Sequence, residues 1–183
     1  MSYQLDHRQL ADEMEIFCLD EEIGAGLPLW LPNGVVIRDQ LEEFVKELER
    51  RQGYQRVASP HLARESLYRK SGHLSSFGEN MFPPMQVEGS EQRYYLRPMN
   101  CPHHHQIFKA RPRSYRHLPL RLAEYGHVYR LEPSGSLKGL VRARGLCQND
   151  APAHDFTERP RSEEDVVLQL HPCTIASGRT TVP

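Results

Sequence analysis

Apolar positions along this chain fall into two helical registers and several short alternating runs. Within residues 6–18, Leu10, Met14 and Phe17 lie on one stripe and predict a first helix. Ile37, Leu41, Phe44, Val45 and Leu48 follow at i, i+4, i+7, i+8 and i+11 with charges between them, and Gly53 stands just past the end. That pattern predicts a second helix with one apolar face. Between the two, 24–34 holds two prolines and three glycines and reads as a turn-rich break. Tyr54–Ala58 alternates and predicts a strand ending at Pro60, and residues 61–71 suit a short helix. Residues 77–89 read as loop and Tyr94–Leu96 as a strand, and a helix containing Ile107 and Phe108 follows Pro102. Leu122–Arg130 predicts a strand, 132–138 a turn and Leu140–Cys147 a returning strand, which together make an antiparallel hairpin with a long polar tip.

Helices first, then strands joined by hairpins and loops, argue for an α+β fold with an antiparallel sheet. At 183 residues the chain has room for a single core. Residues 171–183 show no usable periodicity and read as an irregular tail beyond a domain spanning 1–170.

Composition adds little until it is resolved along the chain. Hydrophobic content of 38% and charged content of 26% are those of an ordinary globular protein. There is no run of 18 apolar residues and no apolar leader, so the expectation is a cytoplasmic protein without a membrane span. Its four cysteines, Cys18, Cys101, Cys147 and Cys173, are expected to stay reduced, and none forms a C-x-x-C pair. The net charge is −1, yet residues 93–144 carry eleven Lys or Arg against two acids, Glu124 and Glu132. Such a basic middle suits an anionic ligand, a nucleotide or a nucleic-acid backbone, and is equally compatible with a solvated basic face.

Three constellations are candidates for chemistry. The hairpin places Arg130 and Glu132 on one side of the polar loop and Arg142 on the other. Guanidinium forks suit phosphate and carboxylate, and a Glu suits the exocyclic amine of a base. The same residues also suit a plain surface hairpin. Cys101 with His103, His104 and His105 offers thiolate and imidazole donors of the kind zinc takes, although Pro102 and the helix after it argue against one local site. Gln148-Asn149-Asp150, with His154 four residues on, offers an amide and a carboxylate for a small ammonium or hydroxyl group.

Taken together these segments resemble the class II aminoacyl-tRNA synthetases that act on threonine. The likeness lies in "LDHRQLADEMEIF", "GYQRVASP", "SLYRKSGHLSSFGENMF", "RPMNCPHHHQIF", "SYRHLPLRLAEYGHVYRLEPSGSLKGLVRARG" and "QND", nearly continuous from about Leu5 to Asp150. The resemblance implies an antiparallel sheet flanked by helices and incomplete on its C-terminal side. The implied activity is ATP-dependent activation of threonine and its transfer to tRNA. It implies that Arg130 holds the α-phosphate and the threonine carboxylate, Glu132 the adenine amine, and Arg142 a further phosphate. It also implies that Cys101 is a zinc ligand beside Met99, that Gln148 and Asp150 hold the amino acid's polar groups, and that Mg2+ accompanies ATP. A homodimer through the region around Pro60 is implied as well.

The likeness breaks after Asp150. The family continues Asp-Ala-His with the His as second zinc ligand, whereas here the order is Asp150-Ala151-Pro152-Ala153-His154. His154 is therefore the candidate second ligand, displaced by two residues. His171, the only later histidine, sits in no matching motif, and the third class II motif is missing. Residues 157–170 keep a loose acidic, helix-like similarity. The rival expectation is a truncated, non-catalytic paralogue that binds ATP, an amino acid or a synthetase subunit.

Overall fold

The computed structural model describes residues 6–154, with the side chains of Tyr115, Ala153 and His154 outside the description; the expected tail at 171–183 and the helix-like 157–170 also lie outside it. The first helix is shorter than its apolar stripe. α1 runs His7–Glu13, capped by the Asp6 carboxylate accepting from the Arg8 N–H at 3.0 Å. Glu15 then takes a positive φ of 51°, and Phe17 is buried in a two-residue strand instead. That strand, β1 (Phe17–Cys18), pairs antiparallel with β2 (Leu29–Trp30). Tertiary pairing thus overrides the helical spacing, and Met14, left at the helix end, is 53% exposed.

α2 follows as predicted, over Pro32–Arg51. Proline in the first turn needs no intrahelical donor, and Arg50 and Arg51 in the last turn suit the negative end of the helix dipole. Gly53, at φ 80°, lets the chain turn out of the helix. The apolar stripe of α2, however, stays open: Leu41 is 62% and Phe44 63% exposed, and Ile37 and Leu48 are also exposed. Val45 on the same stripe is half-buried.

β3 (Gln55–Arg56) pairs parallel with the central strand β7 (Leu120–Tyr129), an exception to the otherwise antiparallel architecture. Where a single short helix was expected at 61–71, β4 (Leu62–Arg64) precedes α3 (Glu65–Lys70), and α4 (His73–Phe77) follows. β4, β6 (Arg93–Leu96) and β5 (Met85–Gln86) form a small antiparallel sheet in the order β4-β6-β5, so the expected loop at 77–89 contains a strand. Tyr68, Met81 and Tyr95 pack together beneath it with Ala63 and Leu74. α5 covers Cys101–Lys109, with Pro102 in its first turn.

The main sheet has the order β3-β7-β8, with β8 (Gly145–Asp150) antiparallel to β7. The returning strand starts later than expected, at Gly145. Residues 131–144 make an excursion instead, with a lone bridge between Lys138 and Arg142. Arg142 is therefore in the loop and not on the strand, because the Arg144 and Gly145 N–H groups bond to the Gly26 carbonyl at 2.7 and 3.2 Å. β9 (Ala153–His154) continues along β7 in unbroken register: Asp150 faces Glu124, Ala153 faces Arg121 and His154 faces Leu120. Pro152 lacks a donor, but its carbonyl still accepts from the Leu122 N–H at 3.1 Å.

Candidate active site

β7 carries the site on one of its faces. Residues two apart share a face, so Glu124, Gly126 and Val128 line up, opposite Asp150, Gln148 and Leu146 of β8. The head of α5 lies on this face. Asn100, wholly buried, sits so close to Gly126 that any Cβ there would overlap its amide. Its Nδ2 donates to Asp150 Oδ2 at 3.2 Å. Met99 precedes it, half-buried, and Cys101 opens the helix. The fold thereby brings Asn100, between Met99 and Cys101 in the chain, to the strand pair that carries Gln148 and Asp150, 50 residues from Asp150 in sequence.

Beneath α5 lies a buried charge cluster that no local motif announces. The Glu124 carboxylate accepts from the Ser59 N–H at 2.9 Å and from the Ser59 hydroxyl at 2.8 Å. It also accepts from Arg97 Nη1 at 3.2 Å and is 2.8 Å from His104 Nε2. Arg97 and His104 are each 1% exposed and Glu124 3%. Burial alone pushes the Glu124 pKa up, but the Ser59 backbone and hydroxyl bonds, the His104 bond and the Arg97 charge outweigh it and hold the carboxyl below its ordinary value. Arg97 is tied further by Nε to the His127 carbonyl at 2.6 Å. The network joins four segments: the chain before Pro60, the end of β6, α5 and β7. The sequence signal for it is slight, since Glu124 is one of two acids in a basic run.

The nucleotide candidates stand at the far end of β7. Arg130 is half-buried, its N–H bonds to the Arg144 carbonyl at 2.9 Å, and its Nε reaches the Pro98 carbonyl at 3.3 Å. Arg130 is thus directed to the chain that leads into α5. Glu132 pairs with Arg142, whose side chain is 54% exposed. Arg144, not anticipated from sequence, braces the loop through Nε to the Glu132 carbonyl at 2.9 Å and Nη2 to the Ser134 hydroxyl at 3.1 Å.

Comparison with known proteins bears on the family. Residues 85–170 match the family described as tRNA synthetase class II core domain (G, H, P, S and T). A threonine–tRNA ligase of Chloroherpeton thalassium is 50% identical over 149 residues, which is 80% of this chain and 23% of that protein. The chain is similar to the class II tRNA synthetases. Among solved structures, the RNA binding domain of threonyl-tRNA synthetase from Cryptosporidium parvum Iowa II aligns with a TM-score of 0.75 at 39% identity, covering 80% of this chain and 36% of that one. A Giardia lamblia prolyl-tRNA synthetase in complex with prolyl-adenylate shares the fold, with a TM-score of 0.72 at 23% identity over 89% of this chain and 33% of that one. The chain thus spans less than a quarter of the length of the curated ligase it matches. No described helix is long and apolar enough to cross a membrane.

Among the described residues no three His, Cys, Asp or Glu side chains come together as a metal would require. Cys101 opens α5, and the backbone of His154 lies four strand residues beyond Asp150. At about 3.3 Å per residue that is roughly 13 Å.

Proposed function

We propose that this chain is the threonine- and ATP-binding part of a threonine–tRNA ligase core. The observation that carries the reading is the convergence on β7: an amide–carboxylate pair, Asn100 with Asp150, at one place, and Arg130, Glu132 and Arg142 at the strand's end. Half identity to threonine–tRNA ligases supports the substrate choice.

In this proposal Arg130 binds the α-phosphate and the threonine carboxylate, bringing the two reactants together. Glu132 accepts from the adenine amine and Arg142 holds a further phosphate. Gln148 and Asp150 hold the ammonium and hydroxyl groups of threonine, beside Met99. A carboxylate oxygen of threonine attacks the α-phosphorus, the bond to the bridging oxygen breaks, and pyrophosphate leaves with threonyl-adenylate retained. The threonyl group then passes to the terminal ribose of tRNA. Positioning and charge neutralisation carry the rate. Magnesium, when bound with ATP, supplies further neutralisation at the phosphates. Cys101 and His154 are the residues that would hold zinc, and no step here depends on that metal.

Homodimerisation through the region around Pro60 belongs to the same proposal. Pro60 is exposed, β3 pairs on one edge only, and the apolar face of α2 is open beside it. Domain limits of 1–170 and a cytoplasmic location complete the proposal.

Threonine-dependent exchange of pyrophosphate into ATP tests the reading: exchange above a no-threonine control supports a ligase core. ATP binding without exchange supports instead the non-catalytic binding module.

A further inference from the structure

We propose that Asn100 is a positioning residue for the amino-acid pocket, acting through Asp150; this rests on the functional reading above. Asn100 is fully buried and close-packed over Gly126. An ionised carboxylate only accepts hydrogen bonds, so the Asn100 NH2 faces Asp150 Oδ2, at 3.2 Å, and its carbonyl oxygen is turned away. That carbonyl oxygen, Oδ1, is buried without a hydrogen-bond partner. A buried acceptor without a donor is costly. Tolerating it makes sense where the amide is held in one orientation for a purpose. The contact fixes one Asp150 oxygen against the head of α5 and leaves the other to a ligand.

Asn100 is itself held from below. Its main-chain carbonyl accepts from the His103 and His104 main-chain N–H groups at 3.0 and 3.2 Å, and the His104 side chain is anchored on Glu124. Gly126 completes the cradle, since a side chain there would displace the amide. Residues 100, 126 and 150 thus form one rigid unit, and Asp150 does not need to be ordered when substrate arrives.

The test is a double-mutant cycle on the full chain, read as threonine affinity and ATP affinity by calorimetry. Asn100→Ala is expected to weaken threonine binding about tenfold and leave ATP binding unchanged, as is Gly126→Ala, which displaces the amide without deleting it. Unchanged ATP affinity serves as the check on folding for each variant. In an Asp150→Asn background, Asn100→Ala is expected to cost nothing further, because its effect passes through the carboxylate. A tenfold loss that persists in that background, or threonine binding unaffected by both Asn100→Ala and Gly126→Ala, overturns the inference alone. Absence of threonine binding by the unaltered chain overturns the ligase reading, and this inference with it.

Discussion

Arg142 holds the carboxylate of Glu132, with Nη2 at 2.8 Å and Nε at 2.9 Å from Oε2. The two groups proposed to read opposite ends of ATP therefore satisfy each other without it. Arg142 is half-exposed, so the pair is screened and worth about 0–1 kcal/mol, which a nucleotide readily displaces. Glu132→Gln is expected to lower the preference for ATP over GTP about tenfold, since an amide can turn its donor toward the guanine carbonyl. Competition calorimetry with the two nucleotides checks this, and an unchanged ratio removes Glu132 from base recognition.

Arg130 is the other half of the proposed nucleotide site. Arg130→Ala is expected to reduce ATP affinity about 10- to 100-fold, the range for a lost charge-assisted bond to phosphate. Its present bond to the Pro98 carbonyl is with a neutral acceptor and is easily exchanged. Full retention of affinity by the Ala variant rejects the assignment.

Glu124 ties pH to stability. Its folded-state pKa lies below the ordinary value, so its contribution is fully present above the unfolded carboxylate pKa and is lost as pH falls through the lower folded value. Urea midpoints are expected to fall between pH 6 and pH 3 and to fall less steeply in Glu124→Gln. At pH 7 that variant leaves Arg97 buried without its counter-charge and is expected to cost about 3 kcal/mol. Equal pH slopes in the two proteins contradict the assignment.

Zinc content follows from the donor set. Any zinc that the purified chain carries is expected to be lost in Cys101→Ser, and a metal content unchanged by that substitution removes Cys101 as a ligand. Mass spectrometry under native conditions measures this. A stoichiometric zinc that Cys101→Ser removes shows that residues outside 6–154 complete the site.

The open face of α2 predicts association. Phe44→Glu is expected to convert a dimer to a monomer in sedimentation without loss of helicity, because Phe44 is 63% exposed within one chain. A wild-type chain that sediments as a monomer removes the dimer from the proposal.

Local pattern was enough for α2 and for β7. A 3.6-residue period over Ile37–Leu48 marks the helix, and Tyr125, Val128 and Tyr129 within Leu122–Arg130 mark the strand. Family likeness in the quoted motifs was enough to expect a class II synthetase core. Tertiary structure decided the rest. Phe17 left its helical stripe because pairing with Trp30 buries it, and Arg142 left the strand because Gly26 captures the backbone two and three residues later. The Ser59–Arg97–His104–Glu124 cluster and the Asn100–Asp150 contact join segments up to 65 residues apart. Sequence periodicity reports only which side of an element is apolar. Which buried polar groups meet across elements depends on how those elements pack.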